Sequence, residues 1–272
     1  MTETASGERI HHQDQRGTTG AEAQPATAPP EKNEGGYHQP GVLRVLQTRD
    51  ETRAFYNKIA KAYDLLAERS EEPVRRAGLE MLRAQAGERM LEIGFGTGRS
   101  LIDLARAVGP SGQVFGIDLS EEMLRISREL VQKEGMGRQV ELTCGDALRL
   151  PYSSASFDGI FMSFTLELFD TPEIPQVLAE CRRVLKERGR LAVVGMSRIQ
   201  PDGLMTTIFE WTHRHFPNYL DCRPILVRRA VEDAGFRIAD YQVTRMWINV
   251  EIVGGVKLAS NSPSAPAVTP PA

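Results

Sequence analysis

The chain reads as an α/β protein with a doubly wound, mostly parallel sheet of seven strands. Three observations point there. Segments of helical and strand period alternate from residue 50 to residue 257, an apolar strand runs directly into a glycine-rich turn and a helix, and the last two strand-like runs have no helix between them. Strands that alternate with helices pair in parallel and are covered on both faces. Two successive strands without a crossover form a hairpin, so the sheet is expected to end in a C-terminal antiparallel pair. With 41% hydrophobic and 25% charged residues in 272, the chain can bury a full core.

Residues 1–40 are rich in Gly, Pro, Thr, Gln and His and lack a hydrophobic period. They read as a disordered tail, as do the Ser/Ala/Pro-rich residues 260–272, which leaves 41–259 as the folded domain. Residues 50–66 and 73–86 have helical spacing, with Phe55, Ile59 and Tyr63 on one face, and are expected to form a lid. Residues 90–93 form a short apolar strand. The helix over Arg99–Val108 buries Leu101, Leu104, Ala105 and Val108. Residues 113–117 make the next strand, after which Ser120 caps a helix opening with Glu121 and Glu122, the sign its dipole favours. Residues 140–143, 159–163 and 190–195 supply three more strands. Between the last two, Thr171-Pro172 opens a helix and Gly189 closes it. A helix from Pro224 to Ala234 stops at Gly235, and the runs 236–246 and 247–257 form the hairpin. Cys144 and Cys181 read as core residues.

Composition excludes several classes. The 33 basic and 36 acidic residues leave a charge of −3, and that excess lies in the first forty residues. The balanced remainder offers no basic face, so nucleic acid is not an expected partner. No apolar run approaches the ~20 residues that cross a bilayer, and no charged-then-apolar leader opens the chain. Cys144, Cys181 and Cys222 are too few and scattered for a disulfide framework or zinc ribbon. His213-x-His215 with Cys222 fits no structural zinc spacing, and His11-His12 lies in the tail. A cytoplasmic protein without a metal is the expectation.

The most informative stretch is Glu92-Ile-Gly94-Phe95-Gly96-Thr-Gly98, at the strand-to-helix position where doubly wound sheets bind ligands. A dinucleotide fingerprint needs its third glycine at position 99, which is Arg99. Glu92 stands two residues before the first glycine. A pyrophosphate gains nothing from that carboxylate, whereas a cationic amino-acid ligand does.

This turn resembles the nucleotide motif of the S-adenosylmethionine-dependent methyltransferases of the seven-stranded Rossmann-like class, and further motifs follow at that family's spacing. The resemblance implies S-adenosylmethionine as cofactor and S-adenosylhomocysteine as product. It places Glu92, Gly94, Phe95, Gly96 and Gly98 in the cofactor turn. Asp118, ending the second strand, accepts from the ribose hydroxyls, beside Leu119 and Met123. Gly145-Asp146-Ala147 meets the adenine, and Ser163-Phe164 lies beside the sulfonium. A lone Asp before a helix is more often a cap than a ligand, but Ser120 is better placed to cap here. Asp158, opening the fourth strand, reads as structural.

Phe55-Tyr56-Asn57-Lys58-Ile-Ala-Lys-Ala-Tyr63-Asp64 resembles the entrance helix of the ubiquinone/menaquinone biosynthesis C-methyltransferase group, as do residues 146–158 and 250–257. That likeness implies that Tyr56 and Tyr63 border the cofactor; helix-to-sheet packing is the other reading of the tyrosines. It weakens between 197 and 226, where the group builds its acceptor wall. There Trp211, His213, His215 and Tyr219 suggest a lid over a small aromatic or lipophilic acceptor. Glu167, His213, His215, Tyr219 and Asp221 are the candidates for a base. The methylated atom (C, O, N or S) and the oligomeric state stay open. Two other classes compete. An adenine- or amide-modifying enzyme would carry Asn/Asp-Pro-Pro-Tyr/Phe where this chain has Ser163-Phe164-Thr165-Leu166, and a non-catalytic scaffold would show a broken glycine turn.

Overall fold

The computed structural model describes residues 37–40, 42, 44–45, 47–66, 68–199 and 223–259, without the side chains of 60–66 and 68–70. All belong to one compact unit, Gly36–Ala272. In chain order the elements are α1 (Arg49–Leu66), α2 (Glu68–Leu82), β1 (Arg89–Ile93), α3 (Arg99–Val108), β2 (Gln113–Asp118), α4 (Glu121–Lys133), β3 (Val140–Cys144) and β4 (Phe157–Ser163). Two 3-10 turns (Leu166–Leu168, Thr171–Glu173) lead into α5 (Ile174–Val184), β5 (Leu185–Met196), α6 (Val227–Asp233), β6 (Phe236–Arg245) and β7 (Asn249–Lys257).

The seven strands lie in the order β3-β2-β1-β4-β5-β7-β6. Strands β1 to β5 pair in parallel, while β7 is antiparallel to both β5 and β6. Side-chain alternation along the strands builds two cores. Leu91, Ile93, Phe115, Ile117, Ile160 and Val193 pack toward α5 and α6. Met90, Val114, Phe161, Val194 and Ile252 pack toward α2, α3 and α4. Of the two helices expected as a lid, α2 lies mostly on the sheet: a Cβ at Gly78 would strike Val194 and touch Phe161 at 3.0 Å.

Ser120 caps α4, its hydroxyl accepting from the Met123 N–H at 3.1 Å. The next helix differs from expectation at its end. It stops at Val184 rather than Gly189, because Leu185 is fully buried and already pairs with Phe157 of β4. The next ladder pair is Gly159 with Arg190, so residues 186–189 bulge opposite Asp158. Cys181 is buried as expected, but Cys144 is exposed, since β3 is an edge strand whose last residue faces away from the core. The expected tail boundary at residue 40 also moves. Gln39 is fully buried, donating to the Leu226 carbonyl at 3.1 Å and accepting its N–H at 2.9 Å, so at least residues 37–40 dock on the core.

Asp158 sits at the start of β4, away from the glycine turn. Its carboxylate accepts from the Arg89 N–H at 2.9 Å and from Lys186 Nζ at 2.7 Å, tying β1 and the β5 bulge to β4. Burial works against its charge, but these two donors outweigh it and hold the carboxyl below its ordinary range. Asp158→Ala is expected to destabilise the fold by ~1–3 kcal/mol in chemical denaturation while leaving ligand affinity unchanged. An equal loss of ligand affinity would contradict the structural role.

Candidate active site

The glycine turn joins the C-terminal end of β1 to the start of α3. Gly94, Gly96 and Gly98 all have positive φ (72°, 52° and 91°), a region other residues adopt only with strain. Space decides the rest. A Cβ at Gly94 would collide with Thr165, and one at Gly98 would lie 2.8 Å from Ser127 Oγ, whereas one at Gly96 would meet nothing within 4 Å among the described residues. The first and last glycines therefore let the turn close against its neighbours, and the middle one leaves open space. Ser127 holds the turn by donating to the Gly96 carbonyl at 2.7 Å.

Four strand ends converge on the cleft beside this turn. It is bordered by Glu92 and Phe95 from β1 and its turn, Asp118 and Leu119 from β2, Asp146 and Ala147 after β3, and Ser163 and Phe164 at the end of β4. Glu92 is 2% exposed, and among the described residues its Oε2 has no hydrogen-bond partner. Burial pushes this carboxyl up to about 8, against the opposing effects of the Ser100 hydroxyl and the Arg75 guanidinium. Asp118 accepts from the Ser120 and Gly96 N–H groups, each at 2.9 Å. Burial raises it to about 6 in spite of these bonds. Asp146 accepts from the Leu148 N–H at 2.9 Å and lies 3.4 Å from Arg49. Phe164 is buried with a φ of 50°, an uncommon conformation for a bulky residue and one that clusters at functional sites.

Residues 90–189 match a methyltransferase domain. The demethylmenaquinone methyltransferase of Lactobacillus johnsonii is 32% identical over 169 residues, covering 60% of this chain and 68% of that protein. The chain belongs to the S-adenosylmethionine-dependent methyltransferases. The demethylmenaquinone methyltransferase of Listeria welshimeri is 35% identical over 159 residues, covering 57% of this chain and 66% of that protein. Among solved structures, a SAM-dependent methyltransferase from Aquifex aeolicus is similar with 26% identity and a TM-score of 0.52, over 68% of this chain and 89% of that one. The chain thus spans about two thirds of the curated relatives it matches.

As in its family, the cofactor of this methyltransferase is S-adenosylmethionine. Of the residues expected at the cofactor, Tyr56, Met123 and Gly145 also border the cleft, and Gly98 supports the turn from behind. Tyr63 lies on α1, but its side chain is outside the described residues, as are His213, His215, Tyr219 and Asp221. Glu167 does not border the cleft. It is fully buried in a 3-10 turn, where Oε1 accepts the Met196 N–H at 3.0 Å, Oε2 has no partner among the described residues, and burial raises the carboxyl to about 7. Position in the chain suggested a base there, but the tight turn after β4 directs the side chain under the strand. Thr165, which follows Phe164 in the segment expected beside the sulfonium, also borders the cleft, and sequence reasoning missed Arg49, Thr52, Arg75, Leu168 and Phe169 there. They come from elements that only tertiary packing brings together, and no local signal marks them.

Glu92, Glu167 and Asp118 have folded values of about 8, 7 and 6, above their ordinary 4.5, 4.5 and 3.8. The folded state therefore holds these protons more tightly than the unfolded state. The stability this confers is complete below about pH 4 and is lost as pH rises through the folded values. The ligand-free melting temperature is expected to fall steadily from pH 5.5 to 8.5, and Glu92→Gln should remove the part of the fall nearest pH 8. A melting temperature flat across that range would contradict the assignment.

Proposed function

We propose that this methyltransferase acts on a small lipophilic or aromatic acceptor and binds S-adenosylmethionine in the cleft at the glycine turn. The observation that carries the site is the unpartnered, buried Oε2 of Glu92 beside the open space at Gly96. A buried carboxylate without a partner is costly, and an ammonium relieves it. In this reading Glu92 takes the ammonium of the methionyl end and Asp118 accepts from the ribose hydroxyls. Asp146 accepts from the adenine amino group with Ala147 against the ring, and Ser163 and Phe164 flank the reacting end beside Tyr56. The cofactor supplies an already activated methyl group. The chain's residues then have to bind, orient and exclude water, and remove a proton where the acceptor needs it.

The acceptor class is supported by the likeness to two demethylmenaquinone methyltransferases and by the apolar side chains of Phe164, Leu168 and Phe169 on the cleft. Because Glu167 lies away from the cleft, His213, His215 and Tyr219 are the proposed source of any base. The small-acceptor reading keeps nucleic acid and protein as the losing alternatives, and a cytoplasmic location goes with it. Among the described residues no helix is long and apolar enough to cross a membrane.

Calorimetry is expected to show S-adenosylhomocysteine binding at micromolar level and no binding of NADH. Asp118→Ala should weaken that binding by ~1.5–3 kcal/mol, the scale of a lost charged hydrogen-bond partner. With labelled cofactor, methyl label should pass to a lipophilic hydroquinone; label found only in RNA or protein would contradict the acceptor class, and unchanged affinity in the mutant would contradict the ribose assignment.

A further inference from the structure

We propose that Glu167 and Arg223, both buried outside the cleft, are positioning residues that hold the wall made by Leu168 and Phe169 against the acceptor. The inference rests on the reading that this apolar wall meets the acceptor. Both wall residues reach the cleft from the stretch of 3-10 turns between β4 and α5. Among the described residues three arginines grip that stretch, all from distant parts of the chain. Arg44 makes a forked pair with Asp170, through Nε at 2.8 Å and Nη2 at 2.6 Å. Arg49 bonds Glu173 at 2.5 Å and stacks over Phe169. Arg223, just before α6, is fully buried. Its Nη1 donates to the Glu167 carbonyl at 2.5 Å and its Nη2 to the Thr171 hydroxyl at 2.9 Å.

A guanidinium buried this deeply needs a carboxylate to offset its charge. Asp170 acts on Arg223 most strongly, followed by Glu167 and, more weakly, Glu173, while Arg44 opposes them. Asp170 and Glu173 are already bonded to Arg44 and Arg49, which leaves Glu167 to answer Arg223. Glu251 of β7 shows what a bracing carboxylate looks like in this fold. It is equally buried, yet one oxygen accepts from Ser197 and Val227 and the other from Arg228 and Tyr241. Glu167 instead spends Oε1 on the Met196 N–H, tying the turn to the end of β5, and Oε2 has no partner among the described residues. The charged groups that face it are Glu71 of α2, which repels its charge, and Arg223, which attracts it. Burial is the largest influence and raises the carboxyl to about 7, so its charge changes near neutral pH. Ionisation costs the fold stability, but it also draws the guanidinium onto the turn that carries the wall.

The test is methylation of a short-chain alkyl naphthohydroquinone at saturating S-adenosylmethionine, at pH 6 and pH 8, either side of the Glu167 value of about 7. Glu167→Gln keeps an acceptor for the Met196 N–H and removes the charge. At pH 8 it is expected to raise the acceptor KM about tenfold, with kcat and S-adenosylhomocysteine affinity unchanged, and at pH 6 to match the unmodified protein. The KM of the unmodified protein should itself fall several-fold from pH 6 to pH 8. If Glu167→Gln leaves the KM unchanged, or weakens S-adenosylhomocysteine as much as it raises the KM, the pair only braces the fold and the proposal is overturned. A KM equal at the two pH values in the unmodified protein overturns it as well, and that measurement needs no variant to fold. If the unmodified protein does not methylate the hydroquinone at all, the acceptor reading fails and the proposal falls with it.

Discussion

A carboxylate held out of water with an oxygen unsatisfied is among the more expensive features a fold can keep. Glu92 is such a group, and much of the surrounding structure follows from holding it there. It is the last residue but one of the interior strand β1, just before the turn and out of solvent. Ser100 and Arg75 approach it from two helices that pack on the same face of the sheet. The glycines at 94 and 98 let Thr165 and Ser127 close against the turn that follows it. In the proposed reading, burial keeps this carboxyl protonated in the ligand-free protein, and a cationic ligand lets it ionise.

The sheet supplies the rest of the site by its topology. From β1, the chain crosses to β2 and β3 through α3 and α4 on one face. It then returns to β4, on the other side of β1, with α5 on the opposite face. Such a reversal opens a crevice at the carboxyl ends of the strands. Asp118 and Asp146 stand on one side of the crevice, Ser163 and Phe164 on the other, with the glycine turn between them. Helix α1 runs over the top. Asn57 accepts from Ser120 Oγ at 2.6 Å and donates to Glu121 at 3.1 Å, and Arg49 reaches Asp146 and Glu173. The same helix therefore touches both ends of the crevice.

What could be read from the sequence is what chain-local physics determines. Glu92 to Gly98, Asp118, Ser120 and Asp146 all sit where a strand gives way to a turn or helix, and in a parallel sheet those positions share one edge by construction. Ser120 as a cap and Asp158 as a brace followed from residue type and position. The end of α5 did not, because Gly189 is a plausible helix stop until Leu185 is seen to pair with Phe157. Glu167 was placed by its distance along the chain, which does not report the direction a 3-10 turn imposes. Arg49 and Arg75 gain meaning only from what faces them across helix contacts, and a single sequence does not record those contacts.

The central claim is that Glu92 is protonated in the empty cleft and ionised when its ligand binds. Calorimetry of S-adenosylhomocysteine at pH 7 in buffers of different ionisation enthalpy measures the protons exchanged on binding. Burial holds the ligand-free carboxyl at about 8, so the account predicts release of about one proton per ligand bound, and none in Glu92→Gln. Tight binding by the unmodified protein with no proton release would contradict it.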